Sequence, residues 1–270
     1  MSEIYIISGF LGSGKTTLIN QLLKGNREKI LIVENEVGIK PIDGEILRRE
    51  DVEVENLLSG CICCTMAVDF QRVVEENQIF DKIIIEPSGV AQLSQVMKAF
   101  QGKHNLHSLT VVEAEEFLES LDFFGAFFQD QIENARTLIL NIREERDYRS
   151  EQEKLRELNE FAKILVYNIT KAGPSFQDIE VCQEAQRIVT ENVPGELGME
   201  TKTIDNPEYE SREQLQASIG ETLSGARVFR VKGYAIIAGV LTKTDFAAGK
   251  WHYEEVIGQE LGLVVIYQDF

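Results

Sequence analysis

The chain is short of basic residues: 27 lysines and arginines stand against 45 aspartates and glutamates, a formal net charge of −18. Nucleic acids and anionic membranes are bound through a surplus of Lys and Arg, so both are poor candidates for partners. Long apolar runs are missing too. None approaches the roughly 20 residues needed to cross a bilayer. The start, Met1-Ser2-Glu3, has neither the basic residues nor the apolar stretch of a signal peptide. These absences predict a cytoplasmic protein. Only four cysteines occur. In a reducing compartment they stay as thiols, which favours metal binding or redox chemistry over disulfides. Internal repeats and low-complexity tracts are absent. What remains is ordinary globular material, 43% apolar and 27% charged over 270 residues. That length suits one large domain with a small one.

The most informative stretch is Gly9-Phe10-Leu11-Gly12-Ser13-Gly14-Lys15-Thr16-Thr17. It follows the apolar run Ile4-Tyr5-Ile6-Ile7 and precedes Leu18-Ile19-Asn20-Gln21-Leu22-Leu23. A strand, a glycine-rich loop and a helix start in this order make a P-loop. Glycines let successive N–H groups curl toward phosphate oxygens, and the helix adds its positive end to the same anion site. Lys15 would reach the β- and γ-phosphates, and the Thr16 hydroxyl would ligate Mg²⁺. A plain Gly/Ser turn would explain the glycines but not the Lys-Thr at this offset.

Strand-like runs follow at Ile30–Val33, Lys82–Ile85, Leu109–Val112, Thr137–Leu140 and Lys163–Val166. Each is nearly continuous in apolar residues, as in strands covered on both faces. Helical patterns lie between them, over Ala91–Gln101, Glu115–Asn134 and Arg149–Phe161. The alternation predicts an α/β P-loop NTPase fold with a mostly parallel, doubly wound sheet that binds its ligand at the carboxyl ends of the strands. The turn Asp205-Asn206-Pro207 predicts a boundary, with residues 1–205 as the P-loop domain. Residues 206–270 then form a small α+β domain, with a helix over Ser211–Leu223 and strands at Arg227–Val231 and Leu263–Tyr267.

Ile83-Ile84-Ile85 runs into Glu86-Pro87-Ser88-Gly89. An acid ending such a strand holds Mg²⁺ in a P-loop site, and Gly89 can bring its N–H close to the γ-phosphate. Upstream lies Gly60-Cys61-Ile62-Cys63-Cys64. Clustered thiols such as Cys61, Cys63 and Cys64 can converge on a thiophilic cation with a further ligand completing the set. Alternatives are buried small hydrophobes or a strained vicinal disulfide. Glu34-Asn35-Glu36 follows the second strand and brings carboxylates to the same edge. Asp43, in Pro41-Ile42-Asp43-Gly44-Glu45, could position the attacking water or a metal, or simply occupy a surface turn. Glu36, Asp43 and Glu86 stand unranked as water-orienting groups. His104 and His107 are read as exposed in a polar loop, and Cys182 as core.

The ordered set GFLGSGKTT, ENEVG with IDGEIL, GCICC and EPSG resembles the CobW-like proteins of the CobW/HypB/UreG group of P-loop GTPases. The resemblance is strong to about Gly89. It continues more loosely through Val112-Glu113-Ala114, Gln129 and Gln131, and Leu138–Asn141, and Val228–Gly233 resembles the start of the family's C-terminal domain. It implies a slow GTPase acting as a metallochaperone or cofactor-insertion protein. The cofactors would be GTP, Mg²⁺ and Zn²⁺ or Co²⁺. The thiolates of Cys61, Cys63 and Cys64 would bind the transition metal. Lys15, Thr16 and Glu86 would serve phosphate and Mg²⁺. The partner would be a metalloenzyme or cobalamin-dependent client, and a nucleotide-dependent homodimer is implied by analogy. Asn141-Ile142-Arg143-Glu144 stands where the family reads guanine with Asn-Lys-x-Asp, so Asn141 and Glu144 are the base-side residues. The extra methylene of Glu144 leaves ATP open beside GTP. Glu113 replaces an aspartate, Ile39 stands where an acid is common, and the C-terminal region is short. Two other readings stand beside the chaperone: a nucleotide-responsive scaffold with little turnover, and a small-molecule kinase, which lacks an Arg-rich lid here.

Overall fold

The structure, a computed structural model, describes residues 2–10, 12–34, 51–56, 65–89, 91–100, 106–179, 199–247, 249–259 and 261–269. The chain divides into two compact units.

The first unit begins with β1 (Glu3–Gly9), α1 (Lys15–Leu23), β2 (Ile30–Glu34), β3 (Val52–Asn56), α2 (Thr65–Glu76), β4 (Lys82–Glu86) and α3 (Leu93–Lys98). It continues with β5 (Leu106–Glu113), α4 (Phe117–Phe124), α5 (Ala126–Glu133), β6 (Thr137–Asn141), α6 (Arg149–Leu158), β7 (Lys163–Tyr167) and α7 (Phe176–Ile179). The strands form one seven-stranded sheet in the order β3-β2-β4-β1-β5-β6-β7. Every pairing is parallel. This is the doubly wound sheet that the continuous apolar runs predict. β1 lies between β4 and β5, so chain order diverges on either side of it. Such a switch point opens a crevice at the carboxyl ends of the strands. α1 sets Leu18, Ile19, Leu22 and Leu23 against β1, β2, β4 and β5, where Tyr5, Ile7, Ile32, Ile84 and Leu109 complete the core. It ends before Gly25, whose φ of +73° suits a left-handed helix stop.

Two expectations need correction, and one strand escapes the sequence reading. The helical pattern 115–134 is broken into α4 and α5 at Gly125, whose φ of 52° and ψ of −131° are open essentially to glycine alone. β7 is not buried on both faces, because it ends the described sheet and Lys163 and Val166 are exposed. β3 is a further edge strand whose alternating Val-Glu-Val-Glu escapes a search for apolar runs.

The second unit contains β8 (Met199–Asp205), β9 (Glu208–Tyr209), α8 (Arg212–Thr222), β10 (Ala226–Ile237), β11 (Val240–Ala247), β12 (Lys250–Glu255) and β13 (Gly262–Asp269). The main ladder β12-β11-β10-β13-β8 is antiparallel, and β9 adds a short parallel pairing to β10. Ser211 caps α8 by accepting the Gln214 N–H at 3.2 Å. Leu215, Ile219 and Leu223 then pack on Val231, Ala235, Leu263 and Val265. The turn Asp205-Asn206-Pro207 lies inside this unit, after β8, not at its start. More of the region is sheet than the sequence suggests, since β8, β11 and β12 are rich in polar residues and contain no continuous apolar run.

Candidate functional site

The loop between β1 and α1 is shaped by glycines held where L-residues strain. Gly9, Gly12 and Gly14 have φ of +141°, +83° and +105°. A Cβ on Gly9 would stand 2.5 Å from the Val111 carbonyl oxygen, so neighbouring backbone fills that space. Gly14 is the left-handed N-cap of α1 and supplies no side-chain cap, and the first turn carries no acid. The free N–H groups and positive end of the helix therefore face the loop without a resident negative charge from that turn.

Lys15 opens the helix, 8% exposed, and its Nζ donates to the Gly9 carbonyl at 3.1 Å. Glu86, at the carboxyl end of β4 and equally buried, brings Oε1 to 4.0 Å from that ammonium. The Thr16 hydroxyl donates to the same Oε1 at 3.3 Å. Lys15, Thr16 and Glu86, separated by 70 residues in sequence, thus meet at the switch point. Glu34 ends β2 beside Glu86 as its register partner and is also buried. The hydroxyls of Ser8, Ser13 and Ser88 are buried without hydrogen-bond partners among the described residues. Orphaned hydroxyls around an uncapped helix start, with a lysine and an acid–threonine pair, fit a phosphate with a hard divalent cation. Thr16 and Glu86 are the oxygen donors that would hold Mg²⁺.

Asn141, at the end of β6, joins the expected base side to this loop. Its Nδ2 donates to the Ser13 carbonyl at 3.0 Å, and its Oδ1 accepts the Ile169 N–H at 3.3 Å. Gln21 of α1 donates to the Ile169 carbonyl at 2.7 Å. Sequence reading missed Ile169 and Gln21, whose types and spacing carry no signal. The loop after Asn141 is anchored by Glu115. Its Oε1 accepts the N–H of Arg143 at 2.7 Å and of Glu144 at 3.2 Å, and the Tyr148 hydroxyl at 2.5 Å. Burial works to raise the Glu115 pKa, but these donors outweigh it and hold the carboxyl below its ordinary value. Burial, with that carboxylate beside it, pushes Tyr148 up to about 12. Arg143 pairs with Glu113 at 2.8 Å, so the residue that replaces the expected aspartate also braces the loop. The Glu144 side chain is exposed.

Of the remaining candidates, Gly12, Thr17 and Gly89 lie around the same edge. Glu36, Asp43, Cys61, Cys63 and Cys64 lie outside the described residues, as do His104 and Cys182. No metal-holding group of His, Cys, Asp and Glu is found among the described residues. His107 corrects an expectation: it sits within β5, half-buried, stacked on Tyr5 with ring centroids 4.5 Å apart. No helix among the described residues is long and apolar enough to cross a membrane.

Fold and loop together define a P-loop NTPase. The sequence model of the family CobW/HypB/UreG, nucleotide-binding domain, matches residues 3–192, and the chain belongs to that family. It is 35% identical over 122 residues to the zinc chaperone CobW of Pseudomonas aeruginosa, covering 40% of this chain and 32% of that protein. It is 27% identical over 170 residues to the zinc chaperone YjiA of Escherichia coli, covering 57% of this chain and 52% of that one. The chain thus spans between about a third and about half of these curated relatives. A zinc-bound triple mutant of the YjiA GTPase shares the fold with a TM-score of 0.50 at 15% identity, over 99% of this chain and 94% of that one. The hydrogenase maturation factor HypB of Archaeoglobus fulgidus gives 0.50 at 19% identity, over 64% and 84%.

Proposed function

We propose that this chain is a slow, GTP-dependent metallochaperone that couples Mg²⁺-GTP hydrolysis to a zinc site on Cys61, Cys63 and Cys64. The observation that carries the nucleotide half is the buried Lys15 beside the Thr16–Glu86 pair at the uncapped start of α1. The zinc half is supported by the names of the relatives, zinc chaperones and a zinc-regulated GTPase metalloprotein activator. Co²⁺ suits the same thiolates.

Each residue has a definite part. The loop N–H groups and Lys15 would hold the phosphates and balance charge that develops on them. Thr16 and Glu86 would hold Mg²⁺, which when bound neutralises phosphate oxygens. Glu86, Glu36 and Asp43 are the carboxylates available to orient water. Gly89 would meet the terminal phosphate through its N–H. The thiolates lie on the segment between β2 and β4, so a ligand that draws in Gly89 and Glu86 can shift their geometry if its affinity differs between the two arrangements. Domain roles follow the same lines: the unit that holds β1–β7 would carry the nucleotide and metal, and the unit that holds β8–β13 would select a metalloenzyme or cobalamin-dependent client. A nucleotide-dependent homodimer and a cytoplasmic location belong to the same proposal.

A second reading, relaxed base choice including ATP, is favoured by one observation. The Glu144 side chain is exposed while its N–H is held by Glu115. Adding a methylene at a position meant to accept paired hydrogen bonds weakens guanine discrimination.

The test is zinc affinity with Mg²⁺ and a non-hydrolysable GTP analogue against Mg²⁺ and GDP. A shift of about tenfold between the two states is expected, within the usual range of coupling energies. Replacement of Cys61, Cys63 and Cys64 together by Ala should abolish tight zinc binding, and Lys15→Ala should abolish GTP turnover. Equal zinc affinity in both nucleotide states rejects the coupling.

A further inference from the structure

α5 turns adjacent polar side chains toward the segment that follows Glu86. Gln131 is fully buried, and its amide nitrogen donates to the Gly89 carbonyl at 3.1 Å and the Ala91 carbonyl at 2.9 Å. Both partners are acceptors, so the NH₂ and not the oxygen must face them. Asp130, 1% exposed, accepts the Ser94 N–H at 3.2 Å in the first turn of α3. The Gln131 carbonyl is itself fixed to β5 by the Thr110 hydroxyl at 2.6 Å.

This grip has a cost. The Gln131 Oε1 is buried without a partner among the described residues. A leucine or methionine would fill the same volume without stranding an acceptor. The side chain is therefore better explained by what it holds than by packing. It holds a glycine, the residue with the most backbone freedom to lose. The Ala91 N–H closes a turn onto the Ser88 carbonyl at 2.9 Å. With that turn closed and the carbonyls of Gly89 and Ala91 pinned, the backbone of Gly89 is confined to a narrow range, and so is the direction of its N–H.

We infer that Gln131 is a positioning residue of the nucleotide site. It sets Gly89 so that its N–H meets a terminal phosphate, acting through the backbone without touching nucleotide. This rests on the nucleotide reading of the P-loop. The loop and Lys15 hold the phosphates shared by di- and triphosphates, so removing Gln131 affects the ligand that carries a γ-phosphate.

The experiment titrates the full chain, with Mg²⁺, with GDP and with a non-hydrolysable GTP analogue. It compares wild type with Gln131→Met and with the isosteric Gln131→Glu, which serves should the Met variant fail to fold. Both variants should bind the triphosphate analogue about tenfold more weakly, with GDP affinity held within about twofold as the control for folding. Equal weakening of both nucleotides, or no change in either, assigns Gln131 to packing and overturns the inference. A wild type that binds neither nucleotide overturns the P-loop reading first and the inference with it.

Discussion

Two buried lysines stand at opposite ends of the strands in the parallel sheet, and their surroundings differ. Lys82, opening β4 at the amino end, lies 2.7 Å from Glu3 and 3.2 Å from Glu28, with its ammonium 5.2 Å from the Phe176 ring centre and 5.8 Å from that of Tyr5. The Tyr5 hydroxyl donates to Glu3 at 3.0 Å, and the Ser2 hydroxyl to Phe80 at 2.6 Å. Burial works to lower the Lys82 pKa, yet the two glutamates overcome it and raise it. Lys15, at the carboxyl end, donates to a backbone carbonyl within a loop of left-handed glycines, at a helix start with no side-chain cap. The hydroxyls of Ser8, Ser13 and Ser88, buried without partners among the described residues, gather at that end. Burial of a cation is therefore no mark of function by itself. One end satisfies its polar groups with its own side chains; the other presents donors arranged for an anion.

Substitutions at each end sharpen the contrast. The largest effect is expected for Gly14→Ala, where the new Cβ would lie 2.5 Å from Ile169 Cδ1 and 3.1 Å from Asn141 Nδ2 at a φ of +105°. Strain of about 3 kcal/mol should appear in denaturant unfolding. An unchanged midpoint would mean that the loop yields freely.

Lys82→Met comes next. Breaking a buried pair is costly, but Glu3 and Glu28 are 33% and 49% exposed, so a loss of about 2 kcal/mol is expected. Because the folded pKa of Lys82 is raised, the stability it adds is complete below the ordinary lysine value and lost as pH rises through the folded one. The gap between wild type and variant should therefore narrow in strongly alkaline solution. A gap that widens there would contradict the ion-pair account.

Glu115→Gln should cost about 1.5 kcal/mol at neutral pH, discounted for partial exposure. The folded pKa of Glu115 is lowered, so its contribution is present above the ordinary carboxylate value and fades as pH falls through the folded one. Urea unfolding at neutral and acid pH reads this directly, and a pH-independent gap would show that the charge is not what anchors the loop. Gly125→Ala, smallest of the four, should cost about 1 kcal/mol through its glycine-type φ and ψ alone. Beyond its chain neighbours and the helix's own backbone, nothing among the described residues lies within 4 Å of the added Cβ, so a much larger loss would contradict this assignment.

What the sequence reveals follows the range of the interactions. The P-loop is legible because Gly9, Gly14, Lys15 and Thr16 act within one turn of chain. The central strands are legible because Ile83–Ile85 and Leu138–Leu140 are covered on both faces. β3 and β12 are not, since edge strands such as Lys250–Glu255 carry alternating charge. Asn141 is found by motif, but its bond to Ser13 spans 128 residues. The Glu115 anchor and the Gln131 grip likewise depend on elements that only the sheet brings together. His107 misleads because polar neighbours suggest a loop, whereas stacking on Tyr5 makes it part of β5.

The central claim is that the carboxyl end of this sheet, and not the amino end, takes a magnesium nucleotide. Calorimetric titration of wild type, Lys15→Ala and Lys82→Met with a non-hydrolysable GTP analogue and Mg²⁺ tests it most directly. The account predicts one-to-one binding to wild type and to folded Lys82→Met, and loss of about a hundredfold or more in affinity for Lys15→Ala. Equal affinity of wild type and Lys15→Ala would contradict it.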